Sequence, residues 1–550
     1  MNGHAFLASS AGDDEIWVAA GTYTPDPGGT DQGKKFQLAS GVAIYGGFAG
    51  TESTLGDRNP DPATNGTVLS GDLQGDDGAN FANRSDNSAR VVDGTAVDTT
   101  AILDGFTIRG GEAPASGGGF GGNGSPTVTG CRFHDNRAGN RGGAVALLPG
   151  SAAAFVDCQF IDNEAGSDGG AVDADTSDSR FVGCIFEGNL SGSLGGAVNS
   201  ADSTNVFSHC SFRGNRVIPV DFFASGNGGA LHIRGSEIHI IHNCEFSGNR
   251  AVVGGALYIL TSSPVLTNVT ISGNHASDLG GGVCMGLSAA APSFTNCIIW
   301  NNSAGSPTPL VASIAKGGGS PSFSHCIVQH SGGSLIWNPN TGSNGGGNLD
   351  LDPGFTTPLD PLTAPSTAGD FTLGAASPAI NAGLDTADLD GAGGGSDTIA
   401  TVAEDLAGQP RLSGSAVDIG AYETFEEPTG TTFVSLFPNL DPADDDNHNG
   451  LSNFLDYALG ANPTAPHDPD VMPSIVPGTL TFGHRADAED VDPVYKKSST
   501  LGGWTTMQPG IDYDIISSQT AGGRVVVTLE LLLDPVANPR MFFIQEFPEP

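Results

Sequence analysis

One short unit recurs along this chain. Written F-x-x-C-x-F-x-x-N-x-A-x-x-x-G-G-A-V with tolerated substitutions, it can be followed from Thr127 to Phe323. Its cysteine column runs Cys131, Cys158, Cys184, Cys210, Cys244, then Val269 in place of cysteine, then Cys297 and Cys326, in steps of 25 to 34 residues. Two positions on stand Phe133, Phe160, Phe186, Phe212, Phe246, Ile271 and Ile299. An asparagine column from Asn136 to Asn302 precedes diglycines that begin at Gly142, Gly169, Gly195, Gly228, Gly254 and Gly280. A period near 26 residues is too short for a helix and a strand with their loops, and the apolar positions alternate as in strands. Each copy therefore reads as one coil of three short strands, stacked on its neighbours at about 4.8 Å. The predicted fold class is all-β: a right-handed parallel β-helix, followed by a short loop and helix segment and a small antiparallel β-domain.

Stacking turns each column into a ladder of like side chains. The Phe and Ile columns are expected to fill the interior, the asparagines to pair along the axis at a turn, and the glycines to allow positive φ or close approach where the strand direction changes. Seven of the eight cysteines share one inward phase, which predicts a buried ladder of thiols acting as small hydrophobes; disulfide bridges are the other reading. A metal site of cysteines is not expected, because the chain has no C-x-x-C pair and no histidine at ligand spacing.

Composition narrows the partners. With 21 Lys plus Arg against 61 Asp plus Glu, the formal net charge is -40, so the basic footprint that nucleic acid or anionic lipid requires is missing. No stretch approaches the 18 or more apolar residues of a membrane span, and none is expected. The first residues lack a basic segment followed by an apolar stretch, so an export signal is expected to have been trimmed or to lie upstream.

The F-x-x-N element followed by G-G-A-[VIL], as in CQFIDNEAGSDGGAV and CEFSGNRAVVGGAL, resembles the repeat of the chlamydial polymorphic outer membrane proteins, surface adhesins with a β-helical passenger. Outside the repeat, IWVAAGTYTP, VAIYGGFAGTES, NGTVLSGD and LDGFTIRGG resemble the N-terminal coils of exported bacterial β-helix proteins described as choice-of-anchor proteins. SPAINAG, DLAGQPR and VDIGAYE resemble their closing coils. The resemblance implies a rod from about Ile16 to about Glu423 and an extracellular or cell-surface location. The adhesins' membrane barrel has no counterpart in the pattern, since no series of ten-residue alternating strands follows residue 424.

After the rod the composition shifts to Pro, Asp and Asn, and DDNHNGLSNFLD fits the calcium-loop template. Asp445, Asn447, Asn449, Asn453 and Asp456 fall at ligand positions, with the Leu451 carbonyl at the seventh place and Gly450 at the sharp turn. The expected cofactor is weakly bound calcium; the other reading is a solvated acidic linker. The expected division is 1–423 for the β-helix, 424–470 for the linker and calcium loop, and 471–550 for a small β-domain.

No constellation specific enough to be catalytic emerges. Candidate binding residues are Arg216 and Arg250, on adjacent coils and placed to meet an acidic sugar unless they only solvate the face. Phe222 and Phe223 join them, in an insertion that lengthens one turn and either contacts a partner or folds onto the rod. The expected function is an adhesin-like or carbohydrate-contacting structural protein without catalysis, whose partner is a polysaccharide or cell-surface ligand. A polysaccharide lyase or glycoside hydrolase is the alternative, and a groove holding converging carboxylates, or an arginine beside them, would favour it.

Overall fold

The computed structural model describes residues 14–219, 225–286, 291–306, 308–390 and 398–424, and seven strands between residues 474 and 546. The chain divides into two compact units, Met1–Phe425 and Glu426–Pro550.

In the first unit the coils wind as a parallel β-helix of about 11 turns. The coil that opens the clearest repeats has strands at Thr127–Thr129, Arg132–His134, Arg137–Ala138 and Val145–Leu147. Repeated along the axis, these build four parallel ladders of 12, 11, 8 and 10 strands, here called the first, second, third and fourth sheets. Three strands per coil were expected. The additional two-residue strand follows the asparagine column, because each asparagine fixes the backbone of the residue beside it and so brings the next two residues into register.

The ladders are those of the repeat. Cys131, Cys158, Cys184, Cys210, Cys244, Cys297 and Cys326 all point inward, and all eight cysteines are free and buried. Burial in an apolar interior pushes the thiols of Cys131, Cys158, Cys184, Cys210 and Cys297 well above their usual range, which keeps them inert. The rings of Phe160, Phe186, Phe212 and Phe246 stack face to face at centroid separations of 4.7, 4.5 and 4.5 Å. In the asparagine column each Nδ2 donates to the Oδ1 of the next coil, as Asn189 does to Asn215 at 2.9 Å. The same Oδ1 also accepts the backbone N–H of the preceding asparagine. The diglycines are steric necessities: Gly169 adopts φ +63°, and a Cβ at Gly170 would sit 2.1 Å from the Gly196 carbonyl oxygen of the next coil.

The stretch expected to supply closing coils does something else. The last parallel strand is Ser343–Asn344, followed by a single parallel bridge from Leu349 to Ile327. Phe355–Thr357 and Asp370–Leu373 then pair antiparallel, and the chain to residue 424 folds back as a strap over the outer face of the second sheet. Gly248 accepts the Ser366 amide, Asn301 donates to the Leu359 carbonyl, and Asn268 donates to the carbonyls of Asp418 and Gly420. A second apolar core lies beneath the strap, where outward-facing Ile298 and Ile327 meet Phe355, Leu359, Phe371 and Ile419. The rod therefore ends near residue 350, because the last coils carry apolar residues on both faces and a sheet apolar on both faces must be covered on both.

The second unit contains two antiparallel sheets. One orders Ser474–Val476, Thr479–Arg485, Arg524–Leu531 and Tyr513–Ala521; the other orders Thr505–Thr506, Val494–Ser498 and Phe542–Glu546.

Candidate functional site

Strand alternation turns Arg132, His134, Gln159, Ile161, Ile185 and Glu187 to the outside of the second sheet. From Ser211 onward the corresponding positions lie under the strap. Where the cover stops, a cleft of about 870 Å³ opens between residues 402–408 and the coils that carry Asp157 and Glu187. Ile185 supplies an exposed apolar floor. His209, Arg213 and Tyr422 close one end.

The carboxylates on the open side sit at the turns of successive coils. Asp157 takes a left-handed φ of +52° and lays its carboxylate over Gly183, where an added Cβ would come within 2.1 Å of Oδ1. Burial raises its pKa. Asp162 at the other end of the same strand is raised too, first by burial and then by the charges of Asp135 and Glu187, with His134 and Arg132 opposing. Of these carboxylates, Asp157 and Glu187 line the cleft.

The closed end is rigid. Arg213 grips Glu245 with two bonds, Nε to Oε1 at 2.9 Å and a terminal nitrogen to Oε2 at 3.0 Å. The Tyr422 hydroxyl donates to the same Glu245 oxygen, tying the strap to the coil. Burial, followed by the Glu245 charge, raises the Tyr422 pKa and keeps the hydroxyl protonated. His209 Nε2 lies 2.9 Å from the Glu404 carbonyl oxygen, which places the ring proton on Nε2. The arginine here is consumed by its partners, so the charge left facing the cleft is acidic.

The motif DLAGQPR–VDIGAYE proves architectural. Arg411 is fully buried, donates to the carbonyls of Asp418 and Gly420, and lies 3.4 Å from Glu423. Asp405 accepts the amides of Gln409 and Glu423. These bonds knot the end of the strap into the shape that presents Tyr422.

Against this geometry stand the comparisons. Residues 77–228 and 220–344 match the family described as right handed beta helix region. The rod is a right-handed β-helix. No curated protein and no solved structure matches the chain. The β-helix is common in surface proteins and in polysaccharide-active enzymes, so the residues of the site have to carry any narrower reading.

Of the residues singled out from the sequence, Arg216 and Arg250 of the β-helix are register partners in the third sheet. Arg250 donates to the Ala364 carbonyl at 3.1 Å and so braces the strap. Arg216 is half-buried, and its Nε has no hydrogen-bond partner among the described residues. Phe222 and Phe223 lie outside the described residues, as do Asp445, Asn447, Asn449, Leu451, Asn453 and Asp456. Asp173 heads a buried polar row across three coils: Asn199 donates to it at 2.7 Å, and His232 Nδ1 lies 2.8 Å from Asn199 Oδ1. Sequence reading missed Asp157, Glu187, Glu245 and Tyr422. The doublets Ile298–Ile299 and Ile327–Val328, apolar on both faces of a strand, were the available signal that something covers the outside of the β-helix.

Proposed function

We propose that the chain is an exported, surface-located β-helical rod that contacts carbohydrate through the cleft beside Asp157, Ile185 and Glu187. One observation carries the reading: a depression of about 870 Å³ with an exposed isoleucine on its floor is lined by carboxylates and bounded by the strap. Sugar rings offer apolar faces to a floor such as Ile185 and hydroxyl donors to acceptors such as Asp157 and Glu187. The adhesin-like repeat resemblance supports a surface role, and the excess of acid in the cleft favours neutral glycans over acidic ones. The test is a glycan-binding screen of the full chain with Asp157→Asn and Glu187→Gln beside it. Loss of a detected glycan in both variants supports the cleft; equal binding in all three proteins removes it.

A second reading, glycoside hydrolysis, is favoured by the raised Asp157 carboxyl facing the same cleft as Glu187. Two carboxyl groups in unlike surroundings on one cleft are the pairing such chemistry uses. New reducing ends on incubation with a bound glycan, lost in Glu187→Gln, would establish it.

Calcium at the loop 445–456 is proposed from the spacing of its oxygen-bearing residues, which gathers carboxylate, amide and carbonyl oxygens around Gly450.

A further inference from the structure

A second depression lies elsewhere on the rod, along the third sheet near its N-terminal end. It measures about 460 Å³ and is lined by Gln32, Arg84, Asn87, Glu112, Pro114 and Arg137. Buried polar atoms without a hydrogen-bond partner are rare and costly in a folded protein. Yet among the described residues five gather in this one neighbourhood: Asn87 Oδ1, Arg84 Nε and Glu112 Oε2 on the lining residues, with Asp77 Oδ1 and Ser88 Oγ beside them, Arg84 Nε having only an ion-pair contact of 3.5 Å with Asp77 Oδ2. Asn87 is 1 % and Arg84 9 % exposed, so bulk water does not satisfy them.

These side chains are held by their other ends. Asn87 Nδ2 donates to Asp77 Oδ2 at 3.0 Å and to the Gly110 carbonyl at 2.6 Å, which leaves Oδ1 unused. Arg84 donates from a terminal nitrogen to the Asp135 carbonyl at 2.7 Å and lies over the Phe81 ring at 4.7 Å. Arg137 is braced between Glu112 at 3.5 Å and Glu164 at 3.2 Å, and also faces Phe81 at 5.7 Å. Burial raises the pKa of both Glu112 and Asp77. The polar groups are thus fixed before any ligand arrives, which is the condition for specific binding at low ordering cost.

The charge pattern selects the ligand chemistry. Two guanidiniums on one ring repel a bare metal ion or an amine, and the carboxylates of Asp77, Glu112 and Glu164 repel an anion. What remains is an uncharged molecule that donates several hydrogen bonds and accepts one. We propose that this crevice binds a neutral sugar unit, whose hydroxyls donate to Glu112 Oε2 and Asn87 Oδ1 and accept from Arg84 Nε. The volume suits a ligand of that size, at the small end of the usual range of roughly 300 to 1,000 Å³. The site goes beyond the cleft of Asp157 and Glu187, shares no lining residue with it, and stands or falls separately.

The experiment uses the full chain and titrates glucose, galactose, mannose, N-acetylglucosamine, galacturonate and calcium chloride by ligand-detected NMR and calorimetry. Four proteins are compared: the natural sequence, Glu112→Gln, Pro114→Trp and Glu187→Gln. Pro114 is exposed at the rim, so its tryptophan fills the crevice without entering the core and keeps the test decisive if Glu112→Gln unfolds. A neutral sugar should bind, about tenfold or more weaker in Glu112→Gln, as for a hydrogen bond to a charged group, and not at all in Pro114→Trp. Glu187→Gln reports on the cleft alone: a sugar whose binding is lost in Glu187→Gln but kept in both Glu112→Gln and Pro114→Trp belongs to the cleft and overturns the proposal. Binding of galacturonate or calcium alone, or no binding of any neutral sugar at tens of millimolar, would overturn it as well, the latter meaning that ordered water satisfies the five atoms.

Discussion

Replacing Asn189 by alanine removes one rung of the asparagine ladder, and the structure sets the size of the loss. Asn189 Oδ1 accepts from the Asn163 amide at 3.1 Å and from Asn163 Nδ2 at 3.0 Å. Its Nδ2 donates to the Phe160 carbonyl at 2.8 Å and to Asn215 Oδ1 at 2.9 Å. The two side-chain partners keep other bonds: Asn163 Nδ2 still reaches the Phe133 carbonyl, and Asn215 Oδ1 still accepts the amide of residue 189. The two backbone partners, the Asn163 N–H and the Phe160 C=O, lose the bond this side chain supplied in a fully buried place. At about 1 to 3 kcal/mol for each buried group left unsatisfied, Asn189→Ala should cost about 2 to 6 kcal/mol. Coils touch only their neighbours, so the damage should stay local. Hydrogen exchange resolved by residue is the assay, with thermal melting beside it. Amides 163 and 189 should exchange at least about 30-fold faster, the rate equivalent of 2 kcal/mol, while those beyond two coils stay unchanged. Asn140→Ala, at an exposed position two coils away, should stay within about 0.5 kcal/mol of the natural protein. Equal exchange and melting in the two variants would refute the ladder as a stabilising element.

Other outcomes follow from buried groups and from the loop after the rod. Burial lowers His232 to about 3, and His239 and His242 to about 4, from 6.5. Their neutral forms stabilise the rod above about pH 6.5, and that stability is lost as pH falls toward 4, because the unfolded chain takes up protons first; urea titrations at pH 7 and pH 5 should show it, and His239→Gln should shrink the difference. Asp173 has the opposite sign: burial raises it from 3.8 to about 6, so stability falls as pH rises between those values, and Asp173→Asn should raise the melting temperature at pH 7.5 but not at pH 3.5. Tyr422→Phe removes the hydroxyl that joins the strap to Glu245; limited proteolysis should then cut within residues 402–408 faster than in the natural protein, and unchanged cutting would mean that the second apolar core alone holds the strap. Calorimetry should detect calcium binding at the loop 445–456 with a dissociation constant of roughly 10⁻⁴ to 10⁻³ M, and no heat at millimolar calcium would leave an acidic linker.

The sequence by itself determined the rod. A strict recurrence of Phe, Cys, Asn and Gly-Gly admits only a stacked architecture, and Cys158, Cys184 and Cys210 lie where their shared phase put them, since identical side chains in a parallel ladder must face the same way. Tertiary structure alone decided what lies on the outside. That residues 353–390 and 398–424 return over the second sheet depends on Ile298, Glu245 and Arg213 meeting Tyr422 and Ile419 across more than a hundred residues, and no local period encodes such a meeting. The cleft of Asp157 and Glu187 exists only because that return stops short, and the crevice of Arg84, Asn87 and Glu112 only because an N-terminal stretch packs beside later coils. Repeats reveal contacts between equivalent residues of successive coils; sites arise where non-equivalent residues are brought together, and there the pattern is silent.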